Sequence, residues 1–249
     1  MNAIAFKLFG VDVYWYAVII TIAFIIGLII LKINEGKYNV KFDDCLDIFI
    51  VTFPVSIIGA RLYYILFNLQ YYLQNPEEIL NFRGGGLAIY GGIIAGAISI
   101  FIVTKIKKIK FLDMLDYIVP ALALGQSIGR WGNFINGEAY GTETNLPWAI
   151  QVLENGVYKN VHPTFLYEAI ATFIIFIILT ELSKKRRFSG EITYIYIILY
   201  SFARFFIEGM RIDSLMLKNF RISQILSLIL FGVFCIILSY NVIKKSKEE

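Results

Sequence analysis

A chain of 249 residues that is 58% hydrophobic, with a mean hydropathy of +0.68, is too apolar for an ordinary soluble domain, where about 45–50% is usual. Cys45 and Cys235 form no CxxC or Cys/His cluster, and a single histidine, His162, excludes a multi-histidine metal centre; no cofactor and no nucleic acid is expected. A net charge of +4 says little about partners until the charges are assigned to the two sides of a membrane.

The apolar residues lie in runs suited to crossing a bilayer, which takes about 20 residues per helix. Seven such runs occur, at about 13–31, 46–67, 88–104, 112–128, 164–182, 191–208 and 223–243. The first, Val13–Leu31, is too long for the apolar core of a signal peptide and lacks a small-residue cleavage site, so it reads as a retained helix. Lys and Arg crowd the connections around 32–41, 105–110, 184–187 and 244–247. The alternate connections hold only Lys7, Arg83, Arg130, Lys159, Arg211, Lys218 and Arg221. The dense basic loops are expected on the cytoplasmic side. The expected fold is therefore an all-α integral membrane protein of seven transmembrane helices, N-terminus outside and C-terminus cytoplasmic. It is one domain over 1–249, with polar outer loops, an outward-facing polar segment around 129–163 and a lipid-accessible central cavity.

Polar groups inside the apolar runs are costly and point to function. In the second span, Arg61 follows Gly59-Ala60 and stands with Tyr63 and Tyr64; it can line a cavity or pair with a carboxylate. The run Arg83-Gly84-Gly85-Gly86-Leu87-Ala88-Ile89-Tyr90-Gly91-Gly92 is no P-loop and no dinucleotide fingerprint. Its plain reading is close helix packing through Gly91, Gly92 and Gly96.

The segment Gly129–Gly141 directly follows the fourth span. Four glycines in thirteen residues predict that the helix stops there. Arg130 offers a planar fork suited to a phosphate. Asn133 and Asn136 add neutral donors and acceptors, and Glu138 can hold the arginine or a hydroxyl. The plainer alternative is a turn with an interfacial arginine.

His162-Pro163-Thr164 predicts a helix start, with Glu168 in its second turn. Glu168 can serve as a helix-end carboxylate or as the partner of Arg130. His162 can be a general base or only a capping residue. In the sixth span, Tyr200, Arg204, Glu208 and Arg211 follow i, i+4, i+8, i+11 and so share one face of an otherwise apolar helix. That face must look into the bundle or a cavity. It fits a ligand site or an ion pair locking two helices. Taken together, these residues suit an enzyme that holds a lipid phosphate, and equally an anion transporter.

The motifs resemble those of the prolipoprotein diacylglyceryl transferases. Gly-Arg-x-Gly-Asn-Phe-x-Asn-x-Glu over Gly129–Glu138, with a following glycine, is similar to that family's signature. Gly84–Gly92, His-Pro-Thr-x-Leu-Tyr-Glu at His162–Glu168, the Arg204/Glu208/Arg211 helix, Gly59–Tyr63 and Trp15-Tyr16 match in the family's order. The resemblance implies transfer of the diacylglyceryl group of phosphatidylglycerol to the lipobox cysteine of prolipoprotein signal peptides, releasing glycerol phosphate, in a bacterial cell membrane. It implies that Arg130 binds the head group and that Arg204 is a second essential arginine. It implies that Asn133, Asn136, Glu138, Glu168, Tyr16, Tyr200, Glu208 and Arg211 shape the site. Arg61 falls within the matched Gly59–Tyr63 and is expected among the substrate-binding residues. One position departs: Tyr90 stands where the family often carries a histidine proposed as the thiol's base. A tyrosine's reference pKa is about 10, so the base is Tyr90, a carboxylate such as Glu168 or Glu208, or the departing phosphate.

Overall fold

The computed structural model describes residues 3–81, 85–154, 156–212, 214–218 and 220–248. Arg83 and Gly84, two of the residues singled out above, lie outside these described residues. Among the described residues the fold is mostly helical, and seven helices are long and apolar enough to cross a membrane. In chain order they are α1 (Trp15–Ile33), α2 (Phe42–Phe67), α4 (Ile89–Ile106), α5 (Phe111–Asn136), α6 (Thr164–Leu182), α7 (Glu191–Met210) and α8 (Ile222–Glu248). A short α3 (Leu69–Gln74) follows α2. Each expected span is found, with ends shifted by a few residues except at α5.

Sequence reading anticipated no strands. Among the described residues, three two-stranded antiparallel hairpins occur: β1 (Ile4–Leu8) with β2 (Val11–Tyr14), β3 (Ile150–Glu154) with β4 (Val157–Val161), and β5 (Met216–Leu217) with β6 (Phe220–Arg221). They are only two to five residues long and lie beside much stronger apolar runs. That hid their alternation.

The chain divides into two compact units, Met1–Ile33 with Leu115–Glu249, and Asn34–Met114. In the second unit α2 packs on α4 through small residues. A Cβ on Gly91 would run into Tyr63 Cβ and lie 2.5 Å from Gly59 O, and one on Gly96 would lie 2.7 Å from Ser56 Oγ. Thr52 and Ser99 hydroxyls meet across the same seam at 3.1 Å. Lipid offers no hydrophobic drive between helices, so close backbone approach supplies the attraction. Gly91→Ala is expected to cost about 1–3 kcal/mol by overpacking, read as a lower melting temperature in detergent. Gly27→Ala, whose Cβ meets nothing, should leave it unchanged.

In the first unit the core forms where Val119 and Ala123 of α5 meet Ile175 and Leu179 of α6 and Ile192 of α7. Helices α1 and α5 run antiparallel. Tyr117, near the start of α5, donates to Leu31 O at 2.5 Å near the end of α1. At the other end, a Cβ on Gly132 would lie 2.6 Å from the Tyr16 ring and one on Gly129 3.2 Å from Ile20 Cδ1. The end of the unit remote from Tyr16 is locked by Asp116, which is fully buried. It accepts from Gly190 N and Thr193 N at 2.7 Å, from Thr193 Oγ1 at 2.6 Å and from Arg186 Nε at 2.7 Å. Arg186 is thus part of a fixed joint between α5 and the α6–α7 connection.

Candidate active site

The segment Gly129–Gly141 departs from the expected helix break. The helix does not stop at Gly129; α5 continues to Asn136. Gly129 and Gly132 serve to let α1 approach, as the Ile20 and Tyr16 contacts show. The helix ends at Gly137, whose φ of 71° suits a residue without a Cβ. Arg130 and Asn133 are thereby one turn apart on one face, and Arg130 Nη1 donates to Asn133 Oδ1 at 3.2 Å. Past the helix end, Glu138 turns back, and its Oε1 accepts from Asn133 Nδ2 at 3.0 Å and Asn136 Nδ2 at 3.2 Å. Of the two expected roles, holding the arginine or a hydroxyl, Glu138 takes neither directly: it orients the amide that Arg130 touches.

Helix α6 begins after Pro163, and its Glu168 is buried at 2% exposure. Three donors converge on this carboxylate. Arg130 Nη2 donates to Oε1, Tyr200 OH donates to Oε1 at 3.1 Å, and Arg204 Nη1 donates to Oε2 at 2.7 Å. Arg204 Nη2 also lies 2.6 Å from Glu208 Oε2, an ion pair whose atoms are not aligned as a hydrogen bond. The expected pairing of Glu168 with Arg130 is thus present, and Arg204 joins it. The arginine side chains keep 22% and 18% of their surface. Each guanidinium is tied to protein, while the side chain as a whole stays partly accessible.

The stripe on α7 holds for Tyr200, Arg204 and Glu208. Arg211 has left the helix: its backbone is extended, its N donates to Glu208 O at 3.2 Å, and it bridges Gly141. A Cβ on Gly141 would lie 2.8 Å from Met210 O, so this glycine is where the chain after α5 passes against the end of α7. Gly141 N donates to His162 O at 2.8 Å and His162 N to Thr142 O at 3.0 Å, joining the start of α6 to the same junction. The His162 ring meets Tyr167 OH at 3.2 Å, and Trp148 Nε1 donates to that hydroxyl at 2.8 Å. Those contacts suit its expected role as a residue holding the helix start.

Two residues of this cluster were not anticipated. Tyr196 stacks on Tyr200 at 5.8 Å between ring centroids and donates to Gln126 Oε1 at 2.9 Å. Tyr196 precedes Tyr200 by one turn and Gln126 precedes Arg130 by one turn, so extending each polar face backwards would have found both.

Arg61 and Tyr90 belong to the second unit. Arg61 is 4% exposed and donates to backbone carbonyls: Nε to Ile79 O at 3.1 Å, Nη1 to Gly85 O at 2.6 Å and Gly86 O at 3.1 Å, and Nη2 to Glu78 O. It also stands over the Tyr72 ring at 5.2 Å. The guanidinium thus gathers the segment between α3 and α4, and with Tyr64, Asn68, Tyr71 and Asn81 it borders a cavity of about 350 Å³. Tyr90 is the second residue of α4 and half-buried.

Fold and site together define a multi-pass, mostly helical membrane protein with an arginine–carboxylate cluster held near one end of three of its helices. The sequence profile of the prolipoprotein diacylglyceryl transferases matches residues 3–240. A phosphatidylglycerol–prolipoprotein diacylglyceryl transferase of Finegoldia magna is 49% identical over the full length of both chains. One of Clostridioides difficile is 49% identical over 100% of this chain and 98% of its own, and one of Clostridium novyi is 43% identical over 99% and 98%. The chain belongs to the prolipoprotein diacylglyceryl transferase family.

Proposed function

We propose that the chain transfers the diacylglyceryl group of phosphatidylglycerol to the lipobox cysteine thiol of a prolipoprotein signal peptide. The sulfur–carbon bond forms at the glyceryl carbon as its bond to the phosphate oxygen breaks. The thiol proton leaves with the glycerol phosphate. The observation that carries this reading is the sharing of one buried carboxylate by Arg130 and Arg204. A single anion fixes both guanidinium groups, and both arginine side chains stay partly accessible. A phosphate ester placed against them would gain charge-assisted hydrogen bonds as its leaving oxygen becomes negative. Asn133, Asn136 and Glu138 hold Arg130 in place, while Tyr200 and Glu208 hold Glu168 and Arg204. Tyr16 packs against the same helix, and Arg211 secures the junction at Gly141. Arg61 shapes the cavity of the second unit for part of a substrate.

We assign the N-terminus and this cluster to the outer face of a bacterial cell membrane and the C-terminus to the cytoplasm. The distribution of Lys and Arg among the connections supports that orientation. We read the whole chain as one membrane domain. The test is direct. Purified protein, phosphatidylglycerol labelled in its acyl chains and a lipobox peptide should yield label on the peptide cysteine and none on a serine control. A protein that moves lipid or anion across vesicles without labelling the peptide would be a transporter.

Glu168 already receives three donors, which take three of the roughly four lone-pair positions of a carboxylate and leave little room for a thiol. That favours Tyr90 over Glu168 as the group that handles the thiol, accepting its hydrogen bond while the proton passes to the departing phosphate. Tyr90→Phe, which removes that hydrogen-bond acceptor, should then slow transfer by up to about 10-fold, the rate worth of one hydrogen bond. A wild-type rate under single-turnover conditions would remove Tyr90 from the reaction.

A further inference from the structure

The β1–β2 hairpin has two unlike faces. Phe6 pairs with Val13 and Leu8 with Val11, placing these four side chains on one face. Lys7 pairs with Asp12 on the other, where Lys7 Nζ lies 3.4 Å from Asp12 Oδ1. The apolar face is not covered by the rest of the protein: Phe6, Leu8 and Val11 are 50%, 52% and 59% exposed. At the tip, Phe9 is 98% exposed and adopts φ 49°, a conformation uncommon for a bulky residue. The turn thus presents a phenyl ring outward. The hairpin passes into α1 without a linker, and Trp15 N donates to Ala3 O at 2.9 Å, clamping its base to the helix. At the junction Tyr14, Trp15 and Tyr16 are exposed, the composition of an aromatic belt at a membrane interface.

We propose that this hairpin lies on the bilayer surface, with Phe9 and the Phe6/Leu8/Val11 face in the lipid and the Lys7–Asp12 pair toward water. Two observations favour lipid as the occupant. The hairpin leads directly into Trp15 and the exposed apolar surface of α1, a helix long and apolar enough to span a membrane. The only charges on the two strands compensate each other on the opposite face, the division expected of an interfacial element. The hairpin also has a location that matters. Tyr16 packs on Gly132, two residues from Arg130, so the hairpin lies at the end of α1 that meets the Arg130 helix. Anchored there, it fixes the depth of Tyr16 and Arg130 relative to lipid head groups.

The test is site-directed spin labelling of the full-length protein in phosphatidylcholine–phosphatidylglycerol vesicles. Cys235 is replaced by serine, and the buried Cys45 is controlled by labelling that parent. Labels are placed at Phe9→Cys, Leu8→Cys and Lys7→Cys. The expected result is that labels at 9 and 8 relax severalfold more with oxygen than with an aqueous nickel chelate, and that the label at 7 shows the reverse. The proposal is overturned if positions 9 and 8 are as open to the nickel chelate as position 7. It is equally overturned if they are shielded from both reagents, which would mean that protein covers the hairpin. Lipid contact is read independently of transfer activity, so failure here and failure of the transferase reading are separate outcomes.

Discussion

Arg130→Lys is expected to lose transfer by about 10²–10³-fold, the scale on which removal of one preorganised donor at a developing negative charge is felt. The charge survives this substitution; the geometry does not. Arg130 reaches Asn133 Oδ1 through Nη1 and Glu168 through Nη2, two directions at once from a planar fork. A lysine ammonium is a single point on a flexible stem. It can stay with the buried Glu168 or reach a phosphate in the same orientation, but it cannot bridge both as the guanidinium does. Labelled transfer under single-turnover conditions should show the fall in the chemical step. Near-wild-type transfer by Arg130→Lys would remove the bidentate role.

Glu168→Gln should be as damaging for a different reason. Glu168 is the shared counter-charge of Arg130 and Arg204. Without it the two cations lose their common partner in a desolvated place. Removing one member of a buried pair costs about 3–5 kcal/mol, so the melting temperature should fall along with transfer. The two arginines should no longer hold fixed positions. A double change, Glu168→Gln with Arg204→Gln, removes a cation along with the anion. It should be less destabilising than the sum of the single changes, by a coupling of about 0.5–3 kcal/mol. Additive losses would mean that the two residues do not depend on each other.

The spans were legible because hydropathy over twenty residues depends on composition alone. The Tyr200/Arg204/Glu208 stripe was legible because a helix turns polar spacing into a face. Glycine was harder to read. In Gly129–Gly141 glycine density predicted a broken helix, yet Gly129 and Gly132 are helical and only Gly137 has a positive φ. Propensity counts the cost of glycine in water, whereas between membrane helices the missing Cβ is what allows contact. Glycine at 91, 92 and 96 was read by that rule, and α2 and α4 do pack there. Convergence of both arginines on Glu168 was not visible because it joins residues 130, 168 and 204 on three helices. Spacing along one chain carries no such distance. Asp116 escaped for the same reason: one acidic residue in an apolar run does not announce the loop amides that it binds.

The continuity of α5 through Asn136 makes the length of its last two turns matter as much as their composition. Each residue added to an α-helix rotates everything beyond it by about 100°. One residue inserted between Gly132 and Asn133 would leave Tyr16 seated on its glycine and Arg130 beside Glu168. It would swing Asn133, Asn136 and Glu138 a quarter-turn or more away. The helix therefore works as an indexing shaft, with α1 bearing on one side and the ion cluster meshed on another.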